Sequence, residues 1–199
     1  TGDFSVSCWF KTNTVSGYQL IFSNLSYNGG ARKGFYIILS TNTIGCWLVN
    51  QPTYSQEFYT SSVVSINTWY HLSVTRESGV VKIYLNGTLL ATDTNAIPLS
   101  YVTTLTSIGA YTNGLTPILY YFNGNIDAFN IWQKALTQSE ITELYNSGNG
   151  KQYVNTNIIT NGLILNLDAS NTSSYSGTGT TWTNLVGGSY NATLYNGVS

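Results

Sequence analysis

FNGNIDAFNIWQKALTQSEITELYNSG, residues 122–148, changes period partway along, and that change decides the fold. Up to Trp132 the residues alternate, with Asp127 in step with Phe129 and Ile131, as in a strand. From Leu136 onward the spacing is helical. Thr137 followed three places later by Glu140 reads as a capping box, in which side chains at each position satisfy the other's backbone N–H. Leu136 and Ile141 sit where a hydrophobic staple places them. Ile141, Leu144 and Tyr145 repeat at helical spacing, and Gly148 ends the turn. The stretch therefore predicts a strand closing a sheet, then one short helix near 137–147.

Everything upstream reads as strand after strand. FSVSCWF at 4–10 alternates Phe4, Val6, Cys8 and Phe10 against Ser5, Ser7 and Trp9. YQLIFSNL (18–25), GFYIILS (34–40) and TIGCWLVN (43–50) follow, with a turn at Asn28-Gly29-Gly30. Gln51 to Ser62 is polar and Tyr-containing, an exposed loop or an edge segment. WYHLSVTRESGVVKIYLNGTLLAT (69–92) holds two hairpin turns, Glu77-Ser78-Gly79 and Asn86-Gly87. The second suits a two-residue turn with positive φ at both centres.

Composition agrees. The 199 residues suffice for one β-sandwich, or for one domain and part of another. Charged residues are 8% and aromatics 14%, with 16 Tyr and 5 Trp. Ring-bearing and β-branched side chains suit a half-buried pleated surface. Seven Lys and Arg against eight Asp and Glu provide no basic footprint, so no nucleic-acid partner is expected. No run approaches the length of a membrane span. The chain opens at Thr1 and carries no Met, which reads as an excerpt from a longer polypeptide. Cys8 and Cys46 lie on apolar faces and read either as buried thiols or as a disulfide.

Three motifs together resemble the laminin-G-like (concanavalin A-like lectin/glucanase) jelly-roll family. They are FSVSCWFKT at 4–12, NTWYHLSVTRESGVVKIYLNGTLLAT at 67–92 and FNGNIDAFNIWQKALTQSEITELYNSG at 122–148. The resemblance implies an all-β fold, a two-sheet antiparallel jelly-roll sandwich over residues 1–150. Family members usually open with a strand of the type G-L-[VI]-x-x-L-[DA]. In this chain GLILNLDAS, residues 162–170, stands instead behind the helix. Residues 151–161 then read as a linker. Residues 162–199 read as the opening strands of a second copy, or as a strand completing this sandwich or a neighbour's.

The resemblance further implies a non-catalytic module for adhesion or carbohydrate binding, extracellular or on a virion surface. Its partners would be a glycan or a cell-surface receptor, and its alternative role a structural virion or filament subunit contacting copies of itself or other virion proteins. Glucanases of this fold carry closely spaced acids such as E-x-D-x-E. Here the close pair is Glu140 and Glu143, on the helix, where a cap and a solvated face account for them. Sugars stack their apolar faces on rings, so the candidate ligand-binding residues are Trp9, Trp47, Tyr18, Tyr27, Tyr54, Tyr59 and Tyr111. Asp127, expected to face apolar surroundings, must be hydrogen-bonded or metal-bound. Relatives often carry a structural Ca²⁺, and Asp127 and Asp168 are the candidate ligands. His71, the single histidine, is expected to pack or hydrogen-bond.

Overall fold

In the computed structural model the alternating segments become two large antiparallel sheets. It describes residues 2–28, 31–95, 98–99, 106–111, 119–150 and 159–194, side chains 27 and 28 excepted. Most of the expected linker, residues 151–158, lies outside them. The first eight strands are β1 (Phe4–Thr12), β2 (Tyr18–Asn28), β3 (Ala31–Ser40), β4 (Thr43–Asn50), β5 (Tyr54–Tyr59), β6 (Trp69–Glu77), β7 (Val80–Leu85) and β8 (Thr88–Asp93). The others are β9 (Ser107–Ile108), β10 (Gly124–Trp132), β11 (Leu163–Leu167), β12 (Thr181–Trp182) and β13 (Ala192–Thr193). One sheet runs β11-β10-β1-β6-β7-β8 and the other β5-β4-β3-β2-β9, while β12 and β13 form a small ribbon.

Alternation sorts the side chains. Val6, Cys8 and Phe10 of β1 point into the layer between the sheets and meet Ile37 and Leu39 of β3 and Ile44, Cys46 and Leu48 of β4. Both cysteines are free and buried. Burial pushes both thiols well above their ordinary range, so they act as small apolar residues. The two hairpin turns have positive φ at both centres: 49° and 91° at Ser78 and Gly79, 50° and 77° at Asn86 and Gly87. The polar segment after residue 50 resolves as the edge strand β5.

Helix α1 spans Gln138–Tyr145, and both bonds of the Thr137–Glu140 capping box are present. The helix stops earlier than Gly148, because Asn146 takes the left-handed conformation at φ 47°. Ile141 and Leu144 pack with Leu136, Trp132, Tyr84 and Leu163 on the outer face of the six-stranded sheet. The tail adds to that sheet. β11 pairs antiparallel with β10, matching Phe129 with Leu167 and Ile131 with Leu165, and Leu167 and Trp182 enter the inter-sheet core.

One sequence expectation is corrected. Asp127 does not share a face with Phe129 and Ile131. A β-bulge at Ala128, with φ 45°, inserts one residue and reverses the alternation. Phe129 therefore points inward, while Asp127 sits opposite Trp9 on the outer face. Asp127 Oδ1 accepts the Ala128 N–H at 2.7 Å, which holds the bulge in shape.

Candidate functional site

Residues directly opposite on antiparallel strands share a face, so the register places the candidate rings. Across the five-stranded sheet one outward row runs Ser107, Ser23, Tyr36, Trp47, Glu57. The next row is Leu20, Ile38, Gly45, Tyr59, and Tyr18 follows two residues from Leu20 on the same face. Leu20, Leu25, Ile38 and Val49 form a buried floor beneath these side chains, joined by Tyr111. Trp47, Tyr18, Tyr59 and Tyr111 are thereby brought to one sheet face.

Within that face the rings play different parts. Tyr111 is only 8% exposed and supports its neighbours from below. Trp47 is half-buried. Its Nε1 donates to Ser55 Oγ at 2.8 Å, the Tyr36 ring lies 4.9 Å away, and the Arg32 guanidinium stands 5.8 Å over the indole. Three rings face solvent: Tyr18 at 56%, Tyr120 at 47% and Tyr59 at 37% exposure. Tyr120 meets Tyr18 edge-on at 5.9 Å and Tyr111 at 6.0 Å. Gly45 makes room for Tyr59, since a Cβ there would collide with the Tyr59 ring and with Ile38.

The polar group among these rings is Glu57. Its Oε1 accepts from Tyr36 Oη at 3.2 Å and from the Tyr59 hydroxyl. Burial and the Glu57 charge push both phenols above their ordinary range, so they remain protonated donors. Tyr36, Glu57 and Tyr120 were not among the sequence candidates. Tyr36 had a signal, its parity being opposite to Phe35, Ile37 and Leu39; Glu57 stands two residues from Tyr59 on an alternating strand. Tyr120 lies just before a strand, where alternation is silent.

The remaining candidates lie elsewhere. Tyr54 is exposed but pairs with Asn50, on the opposite face of β4 and β5 from Trp47. Tyr27 belongs to β2, with its side chain outside the described set. Trp9 is on the other sheet, 5.3 Å from the His71 ring and 6.0 Å from Tyr145 at the end of α1, with Gly150 against its edge. His71 beneath it is buried, sits 2.9 Å from Ser7 Oγ, and is pushed down to a pKa of about 4 by burial.

Asp127 and Asp168 meet in a cleft of about 250 Å³ beside Trp9, Trp69, Asn149 and Ser170. Asp127 Oδ1 also accepts the Ala169 N–H at 3.0 Å, tying β10 to the segment after β11. Asp168 is 2% exposed; its Oδ1 accepts from the N–H and hydroxyl of Ser170, while Oδ2 is buried without a hydrogen-bond partner. No three His, Cys, Asp or Glu converge among the described residues. Calcium takes six to eight oxygens, including carbonyls and waters. The unpartnered Asp168 oxygen, in a cleft shared with a second carboxylate, fits such a cation.

Two large antiparallel sheets packed face to face, with one short capped helix on the outer face, form a lectin-like β-sandwich. The chain belongs to the concanavalin A-like lectin/glucanases superfamily: the Laminin_G_3 family model matches residues 1–142. It is 25% identical over 180 residues to mosquitocidal protein 1 of Paraclostridium bifermentans, covering 79% of this chain and 13% of that protein. A putative carbohydrate binding protein from Bacteroides ovatus superposes with a TM-score of 0.69 at 16% identity, over 97% of this chain and 54% of its own. The CBM40 of a Ruminococcus gnavus IT-sialidase, bound to α2,3 sialyllactose, superposes at 0.60 with 16% identity, over 71% of this chain and 81% of its own. The chain thus spans a small part of the toxin and about half of the Bacteroides ovatus protein. No described helix is long and apolar enough to cross a membrane.

Proposed function

We propose that this chain is a non-catalytic carbohydrate-binding module working outside the cell, and that the outer face of the five-stranded sheet is its glycan platform. The observation that carries the reading is the trio Tyr18, Tyr59 and Tyr120, held exposed over an apolar floor. Exposed rings gathered into one patch and rimmed by polar groups mark an interaction surface. The carbohydrate-binding proteins of similar fold and the toxin relative support a partner that is a glycan or a cell-surface receptor. Glycoside hydrolysis needs two carboxyl groups about 5–9 Å apart. Along the five strands of this sheet the one acid is Glu57.

A glycan array probed with the purified protein tests the reading. Tyr18→Ala and Tyr59→Ala lose binding while the melting temperature stays within a few degrees of the parent. Trp9→Ala, which removes packing under α1, keeps the same glycan profile and lowers the melting temperature. The reverse pattern moves the site to the helix-bearing sheet.

At the second cleft we propose a structural Ca²⁺ held by Asp127 and Asp168. The supporting observation is the buried Asp168 Oδ2, because an unpaired carboxylate oxygen away from water is costly.

A further inference from the structure

The same platform carries a charge asymmetry that selects its ligand. We infer, resting on the glycan-platform reading, that Glu57 makes the site selective for neutral sugars and excludes glycans ending in a carboxylate or sulfate.

The argument is one of placement. Charged residues on the five strands are Arg32, Lys33 and Glu57. Lys33 pairs with Asn50, on the opposite face from Trp47. Arg32 shares the platform face but is six residues along β3 from Ile38, whose row contains Tyr59. At the rise of an extended strand that is about 20 Å of backbone. The Arg32 guanidinium leans over Trp47, partway along. Glu57 stands one row from Tyr59 and hydrogen-bonds to its hydroxyl. The charge bonded to the exposed Tyr59 ring is therefore the negative one, while the Arg32 cation covers Trp47, the cross-strand partner of Glu57.

The chemistry of the carboxylate follows. Both tyrosine hydroxyls spend their protons on Glu57 Oε1. Glu57 is exposed, and Oε2 has no hydrogen bond among the described residues. An ionised carboxylate only accepts hydrogen bonds. A sugar stacked on Tyr59 that turns one or two hydroxyls toward Oε2 gains charge-assisted bonds. A sugar that turns a carboxylate toward Oε2 meets like charge there, and both phenolic protons beside it are already committed to Oε1. Like charges at hydrogen-bond range weaken binding by at least about tenfold.

The test is a printed array that pairs neutral oligosaccharides with the same oligosaccharides capped by sialic acid or sulfate, followed by titration of the best pair. The expected result is binding of the neutral member, with the acidic member at least about tenfold weaker. Glu57→Gln keeps an acceptor for both tyrosines and removes the charge, so the gap falls to threefold or less at an unchanged melting temperature. Acidic glycans bound as tightly as neutral ones by the parent protein, or a gap unchanged in Glu57→Gln, overturn the charge filter and leave the platform standing. Silence toward every glycan overturns both.

Discussion

The Tyr59 ring lies in the space that Gly45 leaves by having no side chain, directly across the β4–β5 pair. A backbone position thus holds an exposed ring flat against the sheet. Gly45 itself is buried and its φ is not in the left-handed region, so its value is one of room rather than of backbone freedom. Gly45→Ala forces the ring outward. Because Tyr59 is at an edge and half free, the stability cost is about 1 kcal/mol, while affinity for the array's best glycan falls at least tenfold. Equal loss in both readouts would show Tyr59 to be packing rather than binding.

The Asp168 carboxylate supplies a second expectation. Calorimetric melting with and without EDTA measures it directly. With the cation present at a hundred times its dissociation constant, the folded state gains about 2.7 kcal/mol, and chelation removes that increment. Asp127→Ala costs about 0.5–1.5 kcal/mol in EDTA, because it frees the partly exposed Ala128 and Ala169 N–H groups, and costs more with the cation present, whose ligand it removes. A melting temperature indifferent to EDTA ends the calcium proposal and leaves the hydrogen-bonding role of Asp127 intact.

These two sites show what the sequence reveals and what it hides. Period-two runs and the Thr137–Glu140 box report local backbone preference, and both reappear as read. The direction of Asp127 does not, because one inserted residue at Ala128 reverses every parity beyond it and Ala gives no sign of a left-handed φ. The gathering of Tyr18, Trp47 and Tyr59 depends on strand register, which pairing partners set from a distance. Glu57 as an acceptor for two tyrosines depends on the same register. Loop rings such as Tyr120 depend on where the loop is pinned, here by the Leu20 N–H to its carbonyl.

His71 predicts a pH dependence. Its pKa is about 4 in the folded state, against 6.5 for the free side chain, because burial disfavours the imidazolium. Between those values the unfolded chain binds a proton that the folded chain does not. Stability therefore falls as pH drops from 6.5 toward 4 and loses nothing further from this group below 4. The full effect is about 3 kcal/mol, from some 1.4 kcal/mol per unit. Denaturant melts of the parent and His71→Asn across pH 4–7 isolate it: the parent loses more stability on acidification. Parallel curves would mean that His71 is solvated.

The tail offers the sharpest structural expectation. β11 is the outermost strand of the six-stranded sheet, and its ladder covers the β10 edge from Phe129 to Trp132. Leu167 is fully buried beside Phe129, Trp182 reaches the same core, and Asp127 on β10 accepts the Ala169 N–H that follows β11. By these contacts β11 and Trp182 pack onto the sandwich, and we propose that the tail completes it. Leu167→Ala costs about 2–5 kcal/mol, as for other large-to-small changes in a packed core. A chain cut after residue 160 exposes the β10 edge and uncovers Phe129, and an unpaired edge invites pairing with another chain. Its expected behaviour in gel filtration and thermal melting is aggregation or a much lower transition. A truncated chain that stays monomeric with an unchanged melting temperature would show that β11 merely rests on a sheet already complete without it.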